Sequence, residues 1–177
     1  EAEKKHRALS RAGAEQKFKG GLADQSVETT KLHTVHHLLL AALQKLIDPE
    51  IKQRGSNITA ERMRMDFNID RKLTPEEVAQ VEALVNEQIE ANLPVVRIEM
   101  PREEAESIGA QMEFGAKYPD LVTVYFIGSR EEWISAEFCG GPHANSTGEL
   151  GGGNRRFKIK KQENVGAGIK RIKAVLA

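Results

Sequence analysis

The sequence predicts an α+β fold, a mixed or antiparallel sheet with long helices packed on it. Three patterns predict it. Leu32, Val35, Leu39, Leu43 and Leu46 recur at helical spacing and mark one buried helix face. Glu61 to Ile69 alternates Met63, Met65, Phe67 and Ile69 with Arg62, Arg64, Asp66 and Asn68, the period of a half-buried strand. Beyond it, long helical and mostly sequential strand segments interleave, as in a sheet covered by helices.

Taken in order, residues Glu1 to Asp24 are polar and broken by Gly13, Gly20 and Gly21, so residues 1–25 read as a tether and loop belonging to a longer chain. The domain proper is expected over 26–177. Its first helix spans about Val27 to Ile47, with Ser26 as N-cap and Asp48-Pro49 as its stop. Thr74-Pro75-Glu76-Glu77 holds an N-cap threonine, a proline at the first helical position and a glutamate three residues after the cap, which starts a helix to about Asn92. Strands follow at Val95 to Met100, Leu121 to Ile127, Trp133 to Phe138, Phe157 to Lys161 and Ile169 to Val175. A short helix near Glu103 to Ile108, ended by Gly109, separates the first two.

At 177 residues the chain can bury the core of one domain, and 40% hydrophobic with 29% charged residues excludes wholesale disorder. A single cysteine excludes an intrachain disulfide and fits a reducing, cytoplasmic setting. No run approaches the length of a membrane span, so no membrane partner is expected. The net charge is zero, yet from Gly151 onward eight cations face the single acid Glu163. Such a bias points to an anionic partner or to a solvated sheet surface.

Two constellations can carry chemistry. His33-Thr34-Val35-His36-His37 lies inside the first helix. His33 and His37, four apart, share a face and can reach one metal ion, and His33 with His36 could do so nearly as well; spacing alone does not choose. His36 points nearer the leucine stripe, which favours a packed role. The second is Cys139-Gly140-Gly141-Pro142-His143, a thiolate and an imidazole on a glycine-rich turn at a strand end, a common half-site for zinc. Together they supply four nitrogen or sulfur donors, the usual number for tetrahedral zinc, and account for the one cysteine.

His33-x-x-x-His37, Gln53-x-Gly55-Ser56 before a strand, Cys139-Gly-Gly-x-His143, Thr147-Gly148-Glu149-Leu150-Gly151 and Gly168-Ile169-Lys170-Arg171-Ile172 resemble, in order and spacing, the editing domain of alanyl-tRNA synthetases. The likeness spans about Ser26 to Val175. The threonyl-tRNA synthetase editing domain shares the histidine motif, but the Cys139-Gly-Gly turn and the closing Arg171-Ile172-Lys173-Ala174 look like the alanyl branch.

The resemblance implies zinc held by His33, His37, Cys139 and His143, and hydrolysis of the ester joining serine or glycine to alanine tRNA. It implies two partners, that tRNA and the remainder of the synthetase chain. A pocket sized for alanine cannot strongly exclude glycine or serine by binding alone, so a hydrolytic second sieve is needed. Gln53 matches a position lining the editing pocket, and it and His36 are the candidate catalytic residues. His36 stands where the family has threonine, and packing is the preferred role for its ring. Four protein ligands close the zinc shell, whereas catalytic zinc keeps a position open, so the ion is expected to organise the pocket. The alternatives are a non-catalytic zinc-stabilised tRNA-binding module and a threonyl-type domain clearing serine from threonine tRNA.

Overall fold

In the computed structural model, which describes residues 21–113 and 115–177, the first helix, α1, runs Val27–Leu46. The expectations placed on residues 1–20 lie outside the described residues. Ser26 caps α1 as its spacing suggests, its hydroxyl accepting from the Thr29 amide. Twelve of the twenty residues of α1 are buried, on more than one face, so the helix is a central element and not a surface one. Leu46 departs from the expected stripe: it lies in the last turn and is 39% exposed.

Two antiparallel sheets flank this helix where the sequence suggested one. The larger has the order β1-β2-β7-β6, with β1 Gln53–Ile58, β2 Met63–Asn68, β6 Phe157–Gly166 and β7 Ile169–Leu176. Met63, Met65 and Phe67 of β2 and Ile172 and Ala174 of β7 turn inward and pack on Leu39 and Leu43 of α1 and on Val81 and Val85 of the second helix. That helix, α2, spans Pro75–Glu90, and its capping box is complete: Thr74 Oγ1 accepts from the Glu77 amide and the Glu77 carboxylate accepts from the Thr74 amide. Leu22 joins this core ahead of Ser26, bridging to Ile58.

The smaller sheet has the order β3-β4-β5, with β3 Val95–Pro101, β4 Leu121–Gly128 and β5 Trp133–Phe138. It encloses a second core of Met100, Val122, Val124, Phe126, Ala136 and Phe138, closed by Ala105 from the short helix α3, Arg102–Ser107. The strand β1 was not expected. The sequence places Gln53-Arg54-Gly55-Ser56 ahead of a strand, whereas the segment is itself an edge strand, with a bulge between Gln53 and Gly55. An edge strand half-covered along its length carries no alternation to betray it.

The basic C-terminal stretch is less bare than it reads. Arg155 pairs with Glu28, Arg156 with Glu90, Arg171 with Asp66, and Lys161 and Lys173 with Glu163. Lys170 is buried on the inner face of β7. Of the eight cations, only Lys158 and Lys160 on β6 are both exposed and outside any ion pair among the described residues.

Candidate metal centre

The centre forms where the two cores meet. One helical turn of α1 presents His33 and His37, and the chain leaving β5 presents Cys139 and, after the turn, His143. The donor atoms of all four lie within 4.8 Å of one another. His36, between the two helical histidines, is buried but is not among them, and its Nε2 has no partner. Gln53 begins β1 opposite Phe67, half-buried, and does not line the cleft described below.

The hydrogen bonds around the centre decide which nitrogen each ring offers. His33 Nδ1 is 2.8 Å from the Pro142 carbonyl, which can only accept, so Nδ1 carries the proton and Nε2 is the lone pair. Thr34 Oγ1 gives the same answer for His143. It donates to the Thr30 carbonyl at 3.3 Å and accepts from the Ala144 amide at 3.0 Å, so His143 Nδ1, also 3.0 Å away, donates to it. Both free Nε2 atoms then point at Cys139 Sγ, each at 3.3 Å. His37 is turned the other way: its Nε2 lies 3.0 Å from the Glu137 carboxylate, and its buried Nδ1 has no partner.

Gly141 shapes the turn. Its φ is +73°, and a β-carbon there would collide with the Tyr125 hydroxyl, so both the backbone and the space require glycine. The Tyr125 ring in turn lies 4.4 Å from that of His143.

Burial sets the electrostatics. It lowers His33 to about 4 and His36 to about 3, and holds His37 and His143 well below the ordinary histidine value, so the rings are neutral at pH 7. It pushes the Cys139 thiol up to about 12 and Glu137 up to about 8. Crowded lone pairs with one nitrogen orphaned are costly on their own, and a bound cation would satisfy them and favour the thiolate. The donor set therefore fits a metal ion, and its imidazole and thiol chemistry suits zinc.

The centre forms one end of a cleft of about 600 Å³, where His33, Cys139, Gly140 and Gly141 meet Thr123 and Tyr125 of β4. Glu113 and residues 116–119 also line it. Glu137, Thr34 and Glu113 were missed from the sequence. The only signals were that Glu137 precedes Cys139 by two, on the same strand face, and that Thr34 sits inside the histidine run.

A family model described as the threonyl and alanyl tRNA synthetase second additional domain matches residues 122–173. The chain is 53% identical over 176 residues to an alanine–tRNA ligase of Treponema denticola, 99% of this chain and 28% of that protein. It is 50% identical over 173 residues to the one of Borreliella burgdorferi, 98% and 28% of the two chains. This is an alanyl-tRNA synthetase editing-type domain. More distant relatives keep the likeness, as in Methylibium petroleiphilum, where an alanine–tRNA ligase is 40% identical over 152 residues, 86% of this chain and 16% of that protein. The editing-type domain thus spans under a third of the relatives it matches. The matched family segment carries Cys139 and His143, while His33 and His37 lie ahead of it. No helix among the described residues is long and apolar enough to cross a membrane.

Proposed function

We propose that this domain is a zinc-dependent aminoacyl-tRNA deacylase that clears serine or glycine from alanine tRNA as part of an alanine–tRNA ligase in the cytoplasm. The observation that carries the reading is a four-donor metal centre opening into a cleft, in a chain half identical to alanine–tRNA ligases. All the relatives named are of the alanyl kind, which favours that branch over the threonyl one.

His33, His37, Cys139 and His143 hold the ion. When bound, it supplies a fixed positive charge beside the scissile ester and organises the cleft end. The other groups position. The Pro142 carbonyl and Thr34 Oγ1 fix two ring orientations, and Glu137 fixes the third. Thr123 and Tyr125 confine the amino-acid side chain, and the side-chain-free Gly140-Gly141 segment lets the ester approach the ligands. His36 packs behind the centre, and Gln53 reaches the substrate only if tRNA binding rearranges the edge strand β1. The exposed Lys158 and Lys160 meet tRNA phosphates.

The test is ester release from seryl-, glycyl- and alanyl-tRNA for alanine by the zinc-loaded chain. Selective loss of serine or glycine supports the reading. Equal or absent release from all three, with zinc bound and the tRNA retained, would leave a zinc-stabilised tRNA-binding module.

A further inference from the structure

Glu113 shares the cleft with the metal centre and takes no part in holding it. Its place is set by the fold. The Gln111 amide donates to the Ala136 carbonyl, and the Phe138 amide donates to the Gln111 carbonyl, each at 2.8 Å, which registers this loop on β5 just ahead of Cys139. Two residues on, the Glu113 amide donates to the Tyr118 hydroxyl at 2.9 Å, and the Tyr118 ring packs edge-on against Phe138 with centroids 4.8 Å apart. The loop is thereby tied at both ends to the strand that delivers the thiol.

Among the described residues lining the cleft, Glu113 is the one carboxylate and Lys117 the one lysine or arginine. The Glu113 side chain is half-buried and forms no ion pair with Lys117 or any other described cation. Burial pushes its pKa up. A half-buried carboxylate in a cleft with no ion-pair partner among the described side chains gains from a ligand that brings a cation. An aminoacyl ester brings one, the α-ammonium, a single carbon from the scissile carbonyl.

We propose that Glu113 receives the α-ammonium group of the aminoacyl ester and so sets which way the ester enters the cleft. This rests on the deacylase reading and extends it to the group recognised. A free α-amine is required at the site, and an N-blocked aminoacyl ester is discriminated against. Side-chain identity is left to the other residues of the cleft, because every amino acid carries the same ammonium.

The experiment separates binding from chemistry. The probe is the non-hydrolysable amide of serine with 3′-amino-3′-deoxyadenosine, compared by calorimetry with its N-acetyl derivative on the zinc-loaded full chain. The wild-type protein is expected to prefer the free-amine probe by about tenfold, the scale of a charge-assisted hydrogen bond. Glu113→Gln, isosteric and checked by its melting temperature, is expected to lose that preference while binding the acetylated probe unchanged, and Glu113→Asp to keep part of it. A wild-type protein blind to the acetyl group, or an E113Q variant retaining the full preference, overturns the proposal. An E113Q variant that binds the free-amine probe as tightly as wild type but has lower kcat on seryl-tRNA also overturns it, because Glu113 would then move a proton. If the preference is present and lost in E113Q while the wild type releases no serine, the ammonium site stands and the deacylase reading falls.

Discussion

Thr34 shows how much one residue can carry in this centre. Its hydroxyl accepts from the buried Ala144 amide and from His143 Nδ1 while donating to its own helix. Thr34→Val keeps the volume and removes the acceptor, stranding two donors. The loss of stability should be roughly 2–6 kcal/mol in the metal-free chain, since each of the two unpaired buried donors costs roughly 1–3 kcal/mol. With His143 no longer held in one tautomer, zinc affinity should fall about 10–100-fold. Denaturant unfolding and competition with a chromophoric chelator measure the two effects, and Thr34→Ser should restore both. A valine variant with wild-type zinc affinity would show that the ring is oriented by packing alone. The same logic applies to Glu137. Glu137→Ala should weaken zinc binding to a similar extent, read in the same competition assay, because it frees His37 to turn.

Residues of this kind explain what the sequence could and could not disclose. His33, His37, Cys139 and His143 are legible because ligating residue types are scarce and the helical spacing of four places two of them on one face. Thr34, Glu137 and Glu113 are of ordinary types, and their roles come from partners about a hundred residues away or across a strand pair.

At the scale of elements, α2 carries a pH-dependent contribution that the capping pattern foretold. The Arg71 side chain and the Thr74 amide together hold Glu77 down to about 2, against an ordinary 4.5. A folded-state pKa lowered in this way contributes stability that is complete above the unfolded value near 4.5 and is lost as pH falls toward 2. Glu77→Gln should therefore flatten the stability profile between those values and leave the rest unchanged. Thr74→Ala should cost about 1 kcal/mol at neutral pH. Acid unfolding followed by circular dichroism checks both, and an unaltered acid limb in the glutamine variant would assign that limb to other carboxylates.

Capping boxes are legible because they are local, and the edge strand β1 is not, because its pairing depends on β2 ten residues later. The basic stretch misleads for a related reason. Its neutralising acids, Glu28, Asp66 and Glu90, come from α1, β2 and α2, so a count along the chain overstates the free charge. Only β6 is left to present lysines outward. The tRNA contact proposed for it should be modest: removing Lys158 and Lys160 together should lower the salt dependence of tRNA binding by no more than about two phosphate contacts. A steeper change in the slope of log affinity against log salt would mean that some ion pairs open on binding.

Across the whole molecule, the candidate metal centre is the joint between two separate cores. α1, which belongs to the larger core, contributes His33 and His37. The chain leaving β5, a strand of the smaller core, contributes Cys139 and, after the turn, His143. A ligand set split in this way makes metal binding a term in the docking of one sheet unit on the other. The smaller unit has three strands and one short helix, the scale at which a core is marginal without further support. Zinc removal should therefore not loosen the chain evenly. Hydrogen exchange should show the amides of β4 and β5 losing protection when zinc is chelated, while those of β2 and β7, inside the larger core, keep most of theirs. The melting temperature should also rise with free zinc concentration, as binding to the folded state alone requires. Uniform loss of protection through both sheets would mean that the two cores unfold as one unit and that the ion stabilises them together; no loss in either would mean that apolar contact between α1 and β5 holds the joint without it.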